Sequence, residues 1–156
     1  MALESVTLEL LPASHKVYVA LFRNVKNSAF LHEQLLARNP EFEYAFIDAS
    51  VISEAYRRYG VSSSTKDLVV VKVTFPEEGG AEPLTKDQIW EHLKANVEGE
   101  AVPITDEQIS TTTDLPKVRK YYKLNGLKWL DDIQDEKIKK RELESLVIGA
   151  MALRGV

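Results

Sequence analysis

Residues 137–156 limit what this chain can become more than any other stretch. They start charged, Lys137-Ile-Lys-Lys-Arg-Glu, and turn apolar toward the end. Leu143, Leu146, Val147, Ala150 and Met151 recur at helical spacing and form one stripe. Ile148, Ala152 and Leu153 fall off that stripe, so most of the circumference is apolar from Leu146 onward. A helix of this kind is buried on more than one side. Three residues follow Leu153, so cover for the second side is expected from elsewhere. Either the helix threads the centre of its own domain or a partner protein completes it. Asp135–Lys139 and Glu136–Lys140 are expected to support the solvated first turn as i,i+4 pairs.

The rest of the chain must supply the anchored side. Its 156 residues fit one domain, 1–156, able to bury roughly two-thirds of its unfolded surface. A composition of 44% apolar and 28% charged residues is that of an ordinary globular chain. The absence of cysteine excludes disulfides, thiolate metal sites and thiol nucleophiles, and suits a reducing compartment. No leader-like start and no stretch of membrane-spanning length is evident, so a soluble intracellular protein without membrane contact is expected. A net charge of −4 counts against strong non-specific nucleic-acid binding by the whole chain, leaving a local basic patch open.

Along the chain, alternation predicts a strand at 6–10 closed by Pro12, and the nearly continuous apolar run at 15–22 predicts a central strand antiparallel to it. Asn27 or Ser28 can cap a helix carrying Phe30, Leu31, Leu35 and Leu36 that ends near Asn39-Pro40. Residues 44–48 read as a third strand, 53–60 as a short helix between Ser53 and Gly60, and 67–73 as the most β-prone run. A loop follows at 76–81. Thr85 caps a helix with Ile89, Trp90, Leu93 and Val97 inward, and 100–104 suggests a short edge strand. Residues 106–113 are polar and unassigned. Asp114 and Pro116 open a helix through Leu124 that Asn125-Gly126 closes, and 129–135 leads into the last helix. The sum is an α+β single domain, an antiparallel or mixed sheet of about four strands flanked by helices.

Catalytic chemistry finds little support. His15, His32 and His92 stand far apart, outside metal spacings, and no nucleophile elbow, phosphate loop or dinucleotide fingerprint occurs. The expectation is therefore a protein that is not an enzyme, with no cofactor and no metal. One basic cluster, Lys117, Arg119, Lys120 and Lys123 beside Tyr121 and Tyr122, could clamp a phosphate and stack a base. Lys117, Lys120 and Lys123 follow i, i+3, i+6 on one side, and Val118 with Tyr122 on another. A solvated face over a packed edge explains the same pattern.

Several stretches taken together resemble the PRPK-binding protein family, the TPRKB-like subunit of the KEOPS (EKC) complex. They are Val19-Ala-Leu-Phe-Arg-Asn-Val-Lys-Asn27, Ala45-Phe-Ile-Asp48, Ile52-Ser-Glu-Ala-Tyr-Arg-Arg-Tyr-Gly-Val61, Leu68-Val-Val-Val-Lys-Val73, Val118-Arg-Lys-Tyr-Tyr-Lys-Leu124 and Ala152-Leu-Arg-Gly-Val156. The resemblance implies a fungal-type, non-catalytic subunit that binds and regulates the small atypical kinase/ATPase of the complex, and through it the other subunits. It further implies support for threonylcarbamoyl modification of tRNA, telomere maintenance and transcription, and a place in nucleus and cytoplasm. Carried over by position, Leu146, Ile148, Ala150, Leu153, Arg154, Gly155 and Val156 would meet the kinase, with Lys26 and Asn27 a second contact that reads equally well as a helix cap. A tRNA-binding adaptor that holds the tRNA 3′ end through Lys117, Arg119, Lys120, Tyr122 and Lys123 is the other reading.

In one respect the chain departs from the family. Members carry several tens of mostly helical residues, with a Lys/Arg-rich turn, between the counterparts of Ile52 and Ser53, and here these flanks join directly. That absence counts against tRNA binding. It also predicts exposed apolar surface, with lower solubility or greater dependence on a partner.

Overall fold

Apolar residues fill both faces of the runs near 16–23 and 68–74, and these become the two central strands. The computed structural model describes residues 2–51, 60–76, 80 and 82–153. Its elements run β1 (Leu3–Val6), β2 (Lys16–Arg23), α1 (Ser28–Leu36), β3 (Ala45–Asp48), β4 (Leu68–Thr74), α2 (Lys86–Asn96), β5 (Glu100–Val102), α3 (Asp106–Thr112), α4 (Leu115–Tyr121), α5 (Lys128–Asp131) and α6 (Glu136–Leu153). The sheet order is β1-β2-β4-β3, with β5 continuing the lane of β1 along the second half of β2. Every pairing is antiparallel. The fold is α+β in a single domain, and the anticipated edge strand brings the sheet to five strands. Gly99 lets β5 close onto β2, since a Cβ there would lie 3.0 Å from the Arg23 carbonyl oxygen and from Val25 Cγ2.

Directly opposed residues in antiparallel strands share a face. One face carries Leu3, Ala20, Val70 and Phe46 in a row, flanked by Tyr18, Phe22 and Leu68. Leu31 of α1 with Ile89 and Leu93 of α2 seals it, all three essentially inaccessible. Thr85 closes a capping box with Gln88 at the start of α2, satisfying amides that would otherwise lack partners. Trp90, expected inward, is half-buried and stacks on Phe22 with ring centroids 6.1 Å apart. A second, purely helical cluster joins Val118, Tyr122, Leu124, Leu130 and Leu143. Most of the polar stretch 106–113, which carried no periodicity, forms α3, with Thr113 its C-cap, because Thr105 accepts a hydrogen bond from the Gln108 amide and Asp106 and Glu107 lie at the positive helix end.

Some local expectations are corrected. The first strand is Leu3–Val6 rather than 6–10, because its register is fixed by β2: Leu3 opposes Ala20 and is buried, whereas Leu8 and Leu10 lie outside the ladder and are exposed. Asn27 occupies the cap position of α1 without capping it. Its side chain instead donates to the Asn96 carbonyl at 2.7 Å and accepts from the Glu98 amide at 3.0 Å. The helix through Leu124 stops at Tyr121, since Lys123 turns left-handed at φ 55°. The Leu124 amide then bonds back to the Arg119 carbonyl at 2.8 Å and that of Lys123 to Lys120 at 3.3 Å, a Schellman closure with lysine in the usual glycine place. The short helix at 53–60 lies outside the described residues except for Gly60, which forms an isolated antiparallel bridge to Ile47. The loop at 76–81 is likewise described only in part.

Candidate partner-binding surface

The terminal helix starts on a carboxylate. Asp135 Oδ1 accepts hydrogen bonds from the Lys137 amide at 2.9 Å and the Ile138 amide at 3.1 Å. These caps replace the expected Asp135–Lys139 pair, because an orphan amide at the helix mouth is fixed in place while a lysine is not. Lys139 Nζ donates to the Asp131 carbonyl at 3.2 Å. Lys140, expected to pair with Glu136, instead reaches Ser110 Oγ at 3.1 Å and the Glu144 carboxylate at 3.9 Å.

One side of α6 is held by its own chain. Leu143 is buried, and Leu146, Val147 and Ala150 are half-buried against the α4–α5 cluster. Away from that stripe Ile148 is 65% exposed, with Gly149 and Ala152 exposed near it, while Leu153, one heptad after Leu146, is 77% exposed beyond the anchoring cluster. The helix therefore does not thread the centre of the domain. Of the contact residues anticipated, Ile148 faces outward, Leu146 and Ala150 share the anchored edge with Leu153 exposed beyond them, and Arg154, Gly155 and Val156 lie outside the described residues. The side chain of Met151 lies outside them too.

Sequence reasoning missed Ile138, which is 52% exposed. At 100° per residue it lies about 80° around the helix from Ile148 on the outer side, roughly 15 Å nearer the helix start. The signal was available in the seven-residue spacing of Ile138, Ser145 and Ala152. Trp129 on neighbouring α5 is also half exposed, and tryptophans in such positions commonly anchor interfaces.

The basic segment divides. Lys117, Lys120 and Lys123 are exposed, with Lys117 Nζ 3.2 Å from Ser50 Oγ. Lys123 lies past the helix end, so the expected i, i+3, i+6 row is broken there. Arg119 is tied into the fold, with Nη2 2.6 Å from Asp131 Oδ1 and within bonding reach of the Leu124 carbonyl. Tyr122 is turned into the helical cluster rather than presented for stacking. Lys26 is exposed beside the end of α2, where its amide donates to the Glu98 carbonyl at 2.9 Å. The Lys26–Asn27 turn follows Val25 of the sheet core, whereas α6 packs on the helical cluster. Among the described residues, no group of three or more His, Cys, Asp or Glu side chains is placed to hold a metal ion, and no helix is long and apolar enough to cross a membrane.

An α+β chain whose last helix is anchored on one side and leaves Ile138 and Ile148 exposed on another has a surface available for association. The chain belongs to the kinase binding protein CGI-121 family, whose profile matches residues 22–53 and 50–155. It is 68% identical to the EKC/KEOPS complex subunit CGI121 of Gibberella zeae over 197 aligned positions, covering all of both chains. Identity to the EKC/KEOPS complex subunit cgi121 of Neurospora crassa is 39% over 207 positions, again over all of both. The Schizosaccharomyces pombe subunit of the same name is 27% identical over 76% of this chain and 87% of its own. With 156 residues set in 197 positions, 41 positions of the Gibberella alignment hold no residue of this chain.

Proposed function

We propose that this chain is a non-catalytic subunit of an EKC/KEOPS-type assembly that binds and regulates the small atypical kinase/ATPase of that assembly. The reading is carried by α6, where Ile138 and Ile148 stand in solvent on the outer side and Leu153 is exposed beyond the anchoring cluster. Burying one such side chain fully contributes roughly 1.5–3 kcal/mol, so three together are of the same order as the cost of association and act as anchors within a wider contact. Membership of a kinase-binding family supports the kinase as occupant. Arg154, Gly155, Val156 and the Lys26–Asn27 turn join the proposed contact on family resemblance alone. Support for threonylcarbamoyl modification of tRNA, telomere maintenance and transcription, and a nuclear and cytoplasmic location, is proposed on family resemblance alone.

The test is co-purification with the kinase. Combined Ile148→Asp and Leu153→Asp substitution is expected to weaken capture by roughly tenfold or more while the melting transition stays in place, because both side chains are already exposed. Removal of 154–156 is expected to act in the same direction. Undiminished capture by both variants would overturn the reading. A tRNA-binding adaptor is favoured only by the exposure of Lys117, Lys120 and Lys123. On that reading Lys120→Glu lowers affinity for tRNA and leaves kinase capture unchanged.

A further inference from the structure

Asparagine is chemically labile because the main-chain nitrogen of the next residue can attack its side-chain amide carbon. The attack needs a following residue without a bulky side chain, an amide not engaged in a hydrogen bond, and an asparagine side chain free to turn. The chain has five asparagines, and four of them fail these conditions. Asn39 precedes Pro40, whose nitrogen carries no hydrogen, and its side chain donates to Gln34 Oε1 at 2.7 Å. Asn24 and Asn96 precede β-branched valines with engaged amides. That of Val25 donates to the Lys66 carbonyl at 2.7 Å and that of Val97 to the Leu93 carbonyl at 2.9 Å. Asn27 is bonded at both ends of its side chain.

Asn125 meets every condition. It is followed by Gly126, in the connection between α4 and α5, and both residues are exposed. Gly126 is left-handed at φ 84°, and a Cβ there would find nothing within 4 Å, so no side chain crowds the turn. Among the described residues, neither the Asn125 side chain nor the Gly126 amide has a hydrogen-bond partner.

We propose that Asn125–Gly126 is a site of spontaneous covalent modification, at which the folded chain converts asparagine into aspartate and isoaspartate. The Gly126 nitrogen loses its proton to base in solution and bonds to Asn125 Cγ. The side-chain nitrogen takes up a proton and leaves as ammonia, and a succinimide ring remains. One water molecule then opens the ring. Breaking the Cγ–N bond gives aspartate, whereas breaking the bond from nitrogen to the main-chain carbonyl carbon gives isoaspartate. Either product sets a carboxylate between Lys123 and Lys128, in a segment that the exposed Lys120, Lys123 and Lys128 make basic. Isoaspartate also lengthens the main chain by one methylene group between buried Leu124 and Leu130.

The test holds the full chain, folded or unfolded in guanidinium, at mildly alkaline pH and then digests it with trypsin, which releases residues 124–128. That fragment is expected to gain one dalton, and to accept a methyl group from an isoaspartyl methyltransferase. In the folded chain it does so roughly tenfold or more faster than any fragment carrying Asn24, Asn27, Asn39 or Asn96, and within about threefold of its rate in the unfolded chain. Asn125→Gln is expected to remove this fast phase, since glutamine would have to close a larger ring. Conversion confined to the unfolded chain would overturn the proposal by showing that the turn protects Asn125. Equal rates at all five asparagines of the folded chain, or a fast phase that persists in Asn125→Gln, would overturn it as well.

Discussion

Single side chains show how burial and bonding set chemistry in this molecule. Tyr44 is buried between Phe46 and His92, with its hydroxyl 3.0 Å from His92 Nδ1. Burial disfavours the phenolate and pushes the Tyr44 pKa up from 10.0 to about 12. The folded state thus keeps a proton that the unfolded chain gives up. Its contribution to stability is complete below about pH 10 and is lost as pH rises toward 12. Tyr44→Phe is expected to cost about 0.5–1.5 kcal/mol at neutral pH through the lost hydrogen bond, and to flatten the alkaline decline. Denaturant midpoints measured from pH 7 to 12 check both. Arg119 teaches a related lesson: its position among lysines suggested RNA, but Asp131, twelve residues on, holds its guanidinium within the fold. Sequence spacing gives the cluster of charges and says nothing of a partner supplied by another helix.

At the level of elements, α4, α5 and α6 share a cluster of their own, separate from the two packed faces of the sheet. Leu143 is its contribution from α6 and is buried there. Leu143→Ala is expected to destabilise the helical cluster by about 2–3 kcal/mol, through lost transfer energy and a residual cavity. Because the cluster is separate, amides of α4–α6 should exchange faster while those of β2 and β4 change little. Native-state hydrogen exchange checks this, and equal acceleration in the sheet would show one cooperative unit. The caps at Thr85 and Asp114 were readable in advance, as each needs only a side chain and an amide three residues on. Asn27 was misread as a cap because its bonds go to Asn96 and Glu98, some seventy residues away.

For the whole molecule, exposed apolar side chains remain on several elements, among them Ile148 and Leu153 on α6, Leu36 on α1, Trp129 on α5, and Val6 and Val73 in the sheet. A ligand bound only by the folded chain stabilises it by mass action, about 2.7 kcal/mol at a hundredfold excess over Kd. Kinase in such excess is therefore expected to raise the melting temperature by several degrees, and calorimetry on the mixture checks it. A melt unmoved by the kinase would remove the docking role of α6. The sequence by itself determined what depends on neighbours along the chain: two strands apolar on both faces, a last helix that starts charged and turns mostly apolar, and the caps that start α2 and α4. Only the tertiary structure decided the length of β1, the second lane of β5, the inward turn of Tyr122 and which side of α6 stays open. The physical reason is that periodicity records which residues share a face, whereas cover for that face comes from segments distant in sequence.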